Sequence, residues 1–157
     1  MNDEDFPVLV RDVMRAHPVT ARPRHPATAA ATLLLDHRTV AVPVVTAEGR
    51  LCGVVDETEL VRGLVVEADE GDVPLVADLM TPAPFTAAPD DDLRSTVEAL
   101  LDRGTRLVPV LDDERLVGVV TARDLVRHIV ERAAAVPGRP GRRAAAEATT
   151  PAHAASA

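Results

Sequence analysis

The two halves of this chain repeat one another, and this duplication constrains the fold more than any other feature. Residues 10–62 align with residues 76–127 at a separation of 66, which becomes 65 after a one-residue deletion in a turn. Identities in that register include Leu-Leu-Asp at 34–36 and 100–102, Val-Pro-Val at 42–44 and 108–110, and Gly-Val-Val at 53–55 and 118–120. So many matches with a single gap indicate duplication of a small structural unit.

Each copy has the same pattern of predicted elements. A short helix ends near Pro18 or Pro82, and a brief extended segment follows. Spaced apolar residues then predict a helix, two β-rich runs predict a hairpin, and a second helix closes the copy. The predicted extended segments are 19–21 and 85–87, the first helices 27–37 and 90–103, the hairpin strands 40–45, 51–55, 107–111 and 116–120, and the closing helices 57–66 and 122–134. The prediction is an α+β fold of two β-α-β-β-α repeats.

The repeats set the predicted domain boundaries. The segment that follows the second copy is rich in Pro, Gly, Ala and Arg and has no apolar period, which is typical of disorder, and we expect its removal to leave folding and ligand affinity unchanged. The predicted divisions are an N-terminal extension at 1–7, repeat one at 8–66, a linker at 67–74, repeat two at 75–134 and a disordered tail at 135–157.

Composition excludes several classes of protein. The net charge is −8 and the only aromatic residues are Phe6 and Phe85, so the chain lacks both the basic surface and the stacking platforms that nucleic-acid binding requires. The N-terminal residues lack the pattern of a signal peptide, and no apolar run is long enough to span a bilayer. One cysteine and scattered histidines predict no metal site. We therefore expect a cytoplasmic protein that contacts neither nucleic acid nor membrane.

The sharpest local motif is Gly-Val-Val-Thr-Ala-Arg-Asp at 118–124, which predicts a strand that leads into a helix. Thr121 and Asp124 have the spacing of a helix capping box, which is a purely structural role. The same geometry also suits a nucleoside phosphate, because a helix N-terminus presents free N–H groups to an anion and a carboxylate accepts from vicinal hydroxyls. The motif alone leaves both interpretations open.

The duplication, Asp-Leu-Met-Thr-Pro at 78–82, the two Val-Pro-Val segments and the motif at 118–124 together resemble a tandem pair of CBS domains, a Bateman module. The resemblance covers about four-fifths of the chain. It implies two repeats related by a pseudo-two-fold axis, assembly into a homodimer, and regulatory binding of AMP, ADP, ATP or S-adenosylmethionine. It further implies a module that acts through an effector protein and is not an enzyme.

The resemblance also implies a site in the second repeat. Asp124 would hold the ribose hydroxyls, while Thr121 and the backbone of Ala122 and Arg123 would face ribose and phosphate. Arg106 would pair with phosphate, which suits a guanidinium group. The remaining implied contacts are Leu107 and Val108 in the pocket lining and Thr86 at the adenine edge. A solvated edge-strand charge is the structural alternative for Arg106.

The first repeat departs from this pattern. Asp56 and Glu59 stand where Thr121 and Asp124 stand in the second repeat, Glu57 lies between them, and Val40 replaces Arg106. Three carboxylates at one helix start stabilise the helix but repel phosphate. We therefore expect two unequal clefts, of which the first could admit only a cation or a neutral nucleoside.

Three functional hypotheses follow. The first is a regulatory module that binds an adenine nucleotide or a related adenosine compound, and the second is a dimerising interaction module without a ligand. An enzyme is the weakest, because Ser-His-Asp and Cys-His groupings are absent and Cys52 falls in a predicted strand. Apolar residues left over on the closing helices predict a two-fold homodimer interface. They are Leu60, Leu64, Val65, Leu125, Ile129 and Val130.

Overall fold

A computed structural model describes residues 8–135. The predicted N-terminal extension at 1–7 and residues 136–157 of the predicted tail lie outside the described residues. Ala135, the first residue of that predicted tail, ends the last helix.

The first repeat follows the predicted order of elements, with one break in its closing helix. Helix α2 ends after five residues and continues as a π-helical turn. The elements are a 3-10 turn at Val10–Asp12, β1 at Arg15–Ala16, α1 at Ala27–Asp36, β2 at Ala41–Val45, β3 at Leu51–Asp56, α2 at Glu57–Val61 and the π turn at Arg62–Val66.

The second repeat has the same order, and its closing helix is continuous. Asp92 begins α4 by accepting a hydrogen bond from the Ser95 N–H at 2.9 Å, and Gly104 ends that helix in a left-handed conformation. The elements are α3 at Val76–Leu79, β4 at Thr81–Pro82, α4 at Leu93–Arg103, β5 at Leu107–Asp112, β6 at Arg115–Thr121 and α5 at Ala122–Ala135. The predicted α+β fold of two β-α-β-β-α repeats is confirmed.

The opening strand of each repeat was predicted in the wrong place. The segments at 19–21 and 85–87 form only single parallel bridges, Ala21 to Val44 and Ala87 to Val110. The opening strands are instead the earlier pairs β1 and β4, two residues each, and such short strands carry no periodicity that a sequence could display.

These opening strands are exchanged between the repeats. The two three-stranded sheets run β1-β6-β5 and β2-β3-β4, so each sheet takes its outer strand from the other repeat. Arg15 lies opposite Val119 and Thr81 lies opposite Val54, both in antiparallel register. The repeats are therefore interlocked with the pseudo-two-fold connectivity that the sequence implied.

The exchange extends into the hydrophobic core. Val10 is fully buried among residues of the second repeat, and Val76 is fully buried among residues of the first. A third cluster joins the two sheets directly, and its members are Ala41, Val54, Leu107 and Val119. Because each core needs apolar side chains from both copies, neither repeat has a complete core by itself.

The closing helices bury part of the surface that was predicted to be exposed. Leu60 is buried, and Leu64 and Leu125 pack against the two cores, so these three residues do not form a free apolar face. The apolar side chains that do remain exposed on these helices are Val61, Val65, Val66, Val126, Ile129 and Val130.

Candidate functional site

Thr121 and Asp124 form a closed hydrogen-bonding unit at the point where β6 leads into α5. The Thr121 N–H and hydroxyl both donate to Asp124 Oδ2, at 2.9 and 2.8 Å, and the Asp124 N–H donates to Thr121 Oγ1 at 3.3 Å. The helix-capping interpretation of this motif is confirmed.

The second oxygen of Asp124 is held by two arginines. Arg15 Nε lies 2.8 Å and Arg127 Nη1 lies 3.2 Å from Asp124 Oδ1. The carboxylate is 1% exposed, whereas the two arginine side chains are 42% and 51% exposed. A carboxylate this deeply buried requires such partners, since an unpaired charge would be strongly disfavoured. Any ligand hydroxyl that reaches Asp124 must therefore share or replace an arginine.

A cavity of about 520 Å³ opens above this unit, between the two repeats. Polar and cationic side chains dominate its lining, and Asp124 lies beneath it. The lining residues are Arg15, His37, Arg38, Thr39 and Val40 from the first repeat and Thr105, Arg106, Thr121, Ala122, Arg123 and Arg127 from the second. We call this the arginine cavity.

A smaller cavity of about 160 Å³ adjoins the arginine cavity, and Arg15, His37 and Thr39 line both. Its other walls are mostly apolar and come from the segment after β1 and from strands of both sheets. They are residues 16–19, 41–43, Leu107 and Val119.

The structure brings together only part of the predicted site. Thr121, Ala122, Arg123 and Arg106 line the arginine cavity, while Leu107 lines the adjoining one and is 1% exposed. The remaining predicted contact in this region, Val108, is fully buried in the core of the second repeat and reaches neither cavity.

The prediction for Thr86 requires a correction, because Thr86 lines neither of these cavities. Its neighbours Pro84 and Phe85 line a different cavity, on the side of Asp56 and Glu59. The cause is the strand exchange, which carries the segment after β4 to the sheet of the first repeat. The corresponding segment beside Thr121 is 16–19, after β1.

Three arginines at the site were missed. Arg15 and Arg38 belong to the first repeat, and only the exchanged strand and the inter-repeat contact bring them close to Thr121. Arg127 carried a signal, because it follows Asp124 by three residues and Arg123 by four, so all three share one side of a helix.

The opposite cavity, of about 280 Å³, is the pseudo-symmetric counterpart of the arginine cavity. Asp56 and Glu59 form a capping box there, with bonds of 2.8 and 3.0 Å, and the Thr81 hydroxyl donates to Glu59. Arg103 and Arg106 also line this cavity. Its lining among residues 8–135 therefore has two carboxylates and two arginines, without Glu57, rather than the three carboxylates and no cation that the sequence led us to expect. The arginines were not anticipated because Arg103 and Arg106 come from the second repeat, although the charge of this cavity still differs from that of the arginine cavity.

Arg106 lies between the two cavities and lines both. Its Nη1 is 3.9 Å from Glu57 Oε1, and both side chains are about half exposed. An ion pair that long and that exposed contributes little, so the Arg106 guanidinium remains available to another anion.

Cys52 has the features of a structural thiol. It is half-buried in β3, its S–H donates to the Val44 carbonyl at 3.2 Å, and burial raises the pKa of the thiol. A raised pKa makes a thiol a weaker nucleophile, as expected for a structural cysteine.

Comparison with known proteins is consistent with this fold. An uncharacterized protein of Methanopyrus kandleri is 27% identical over 121 residues, which cover 76% of this chain and 62% of that protein. The chain thus spans less than two thirds of that relative's length. Among residues 8–135, no helix is long and apolar enough to cross a membrane.

Two solved structures with adenosine ligands are similar to this chain. The CBS domain pair of protein MJ0100, in complex with 5'-methylthioadenosine and S-adenosyl-L-methionine, superposes with a TM-score of 0.71 at 26% identity and covers 80% of this chain and 98% of its own. CBSX2 in complex with AMP gives 0.68 at 26% identity, with coverage of 80% and 98%. The sequence profile of the CBS domain matches this chain twice, at residues 10–66 and 76–131. The chain therefore belongs to the CBS-domain family, as a tandem pair of CBS domains.

Proposed function

We propose that this chain is a regulatory module that binds one adenine nucleotide, AMP, ADP or ATP, or a related adenosine compound such as S-adenosylmethionine, in the cleft built around Thr121. The observation that carries the proposal is the juxtaposition of an apolar cavity with an arginine cavity at the Thr121–Asp124 helix start. An adenosine ligand has the same division, with a flat apolar base at one end and a polar or anionic group at the other.

In this arrangement the base occupies the smaller cavity, against Val19, Pro43 and Leu107. Backbone groups of residues 16–19 take the place first assigned to Thr86. The ribose then lies over Thr121, and its hydroxyls compete with Arg15 and Arg127 for Asp124 Oδ1. An arginine displaced from Asp124 stays at the cavity wall, where a phosphate is an alternative partner.

The phosphate end lies at the start of α5. Ala122 and Arg123, the first two residues of this 14-residue helix, line the arginine cavity, and so does Arg106, which directly precedes β5. Unpaired N–H groups and the helix dipole favour an anion there. The AMP and S-adenosylmethionine complexes of similar CBS pairs support this class of ligand.

The module has no proposed catalytic step. We propose instead that it works in the cytoplasm as a homodimer and passes the state of its ligand to an effector protein. The alternative is a ligand-free interaction module, and one observation favours it: every oxygen of Asp124 already has a partner within the chain.

Thermal shift with adenosine, AMP, ATP and S-adenosylmethionine tests the proposal. A ligand at 100 times its Kd should stabilise the fold by about 2.7 kcal/mol. Titration calorimetry should then give one site per chain, because, of the two clefts formed by residues 8–135, the arginine cavity has an excess of cations and the opposite cavity does not. If no adenosine compound shifts the melting temperature, the interaction module is the better description. Two equivalent sites per chain would contradict the assignment to a single cleft.

A further inference from the structure

The arginine cavity has a charge opposite to that of the chain. The chain carries a net charge of −8, yet among residues 8–135 this cavity is lined by five arginines and by no carboxylate. Two of these arginines, Arg15 and Arg38, come from the first repeat. The other three, Arg106, Arg123 and Arg127, come from the second.

Carboxylates of the described residues neutralise only part of this positive charge. Asp124 serves both Arg15 and Arg127, and Glu57 lies 3.9 Å from Arg106. Neither Arg38 nor Arg123 has a carboxylate within ion-pair distance among residues 8–135. Five arginines against two carboxylates leave an excess of three positive charges. Such an excess in a partly enclosed space is relieved when an anion of matching charge binds.

Arg38 occupies a backbone position that normally favours glycine. Its φ is +50°, in the left-handed region, just after α1 ends. At the equivalent position of the second repeat, after α4, the chain has Gly104 with a φ of +61°. An arginine in this conformation costs stability that glycine would not. Arg38 lines the arginine cavity, so the cost is incurred at a site where its charge has a use.

We propose that the arginine cavity selects adenosine ligands that carry two or more phosphate groups, and that Arg38 is a specificity-determining residue for the outer phosphates. The inference rests on the proposed function, which it deepens by naming the charge of the ligand. S-adenosylmethionine carries a net positive charge and is disfavoured. The opposite cavity, with balanced charges, has no such preference.

The experiment is a calorimetric series with adenosine, AMP, ADP and ATP, in EDTA so that magnesium does not mask the phosphates. Affinity should rise with each phosphate, by about fivefold per step in a cavity open to solvent. The increase should shrink at higher salt, because screening weakens exposed charge pairs.

Two variants of Arg38 separate charge from backbone strain. Arg38→Gln keeps the strained backbone and should lower ATP affinity by about fivefold while leaving adenosine affinity unchanged. Arg38→Gly should lower the affinity for ATP by the same factor. It should also raise the melting temperature by about 2–5 °C, because glycine relieves the backbone strain. Arg62→Gln is the matched control: Arg62 is the first-repeat equivalent of Arg127, is exposed, and lies outside the arginine cavity.

Each outcome is decisive. Equal affinities for AMP, ADP and ATP would overturn the proposed selectivity but leave the proposed function intact. The same conclusion would follow if Arg38→Gln and Arg62→Gln lowered ATP affinity by equal factors. If no adenosine compound binds, the proposed function fails, and inorganic tripolyphosphate becomes the probe. If tripolyphosphate binds and Arg38→Gln weakens that binding, the anion selectivity of the cavity is still supported. If tripolyphosphate does not bind, the anion selectivity is overturned.

Discussion

At the scale of single residues, the partnership of Thr121 and Asp124 was predictable, whereas their surroundings were not. The spacing of the two residues sets the capping geometry locally, so the sequence predicts it. The burial of Asp124 depends on Arg15, which lies 109 positions earlier in the chain, and no local pattern connects the two. The same reason explains why Arg38 escaped prediction.

This burial raises the expected cost of changing Asp124. A residue in the first turn of an exposed helix contributes about 1 kcal/mol or less. Removal of the Asp124 carboxylate also leaves Arg15 and Arg127 without a partner, so we expect Asp124→Ala to lower the free energy of unfolding by about 2 kcal/mol. Denaturant unfolding measures the loss. Glu59→Ala, whose carboxylate is only half-buried, should cost clearly less, and equal costs would contradict this account.

The two variants should also differ in ligand binding. Asp124→Ala removes the acceptor proposed for the ribose hydroxyls, and a charged hydrogen-bond partner contributes about 1.5–3 kcal/mol, so affinity should fall by one to two powers of ten. Glu59→Ala should leave affinity nearly unchanged. Calorimetry at a temperature where both variants are folded makes the comparison, and equal losses would show that both clefts contribute.

At the scale of elements, the sequence predicts most of the fold because apolar spacing is a local property. It fails for β1 and β4, since two-residue strands have no period and their partners lie in the other repeat. Gly118 and Gly53 carry the relevant signal. A Cβ at Gly118 would lie 2.8 Å from Met14 Sδ and 3.0 Å from the Arg15 carbonyl oxygen, and Gly53 faces Met80 and Thr81 in the same way. Both glycines thus permit the exchanged strands to approach.

We therefore expect Gly118→Ala to destabilise the protein by about 1–3 kcal/mol, because the added methyl group forces β1 away from β6. Amide hydrogen exchange should show faster exchange at the N–H groups shared by these two strands. Gly53→Ala is the symmetric counterpart and should loosen β4 to a similar degree. If Gly118→Ala left both the unfolding midpoint and the exchange rates unchanged, close approach at this position would not be needed.

At the scale of the whole molecule, the exchanged strands join the two repeats through shared cores, while the closing helices leave apolar side chains outside. Among them, Val65 is 73% exposed and Val130 is 62% exposed. The sequence predicted apolar faces on both helices but could not tell which leucines turn inward, because that depends on how each helix packs against the core of its repeat. Leu60, Leu64 and Leu125 were assigned to the surface for this reason.

The exposed apolar residues of α2, the π turn and α5 are expected to form a homodimer interface, since the water-exposed valines and Ile129 on these helices are stabilised by burial against a second copy. Combining Val65→Glu with Ile129→Glu should produce a monomer, because four carboxylates would then face one another across a two-fold interface. Light scattering at tens of micromolar protein measures the change. Leu101→Glu, on α4 and 68% exposed, is the matched control and should leave the dimer intact. A parent protein that is already monomeric at this concentration would contradict the prediction.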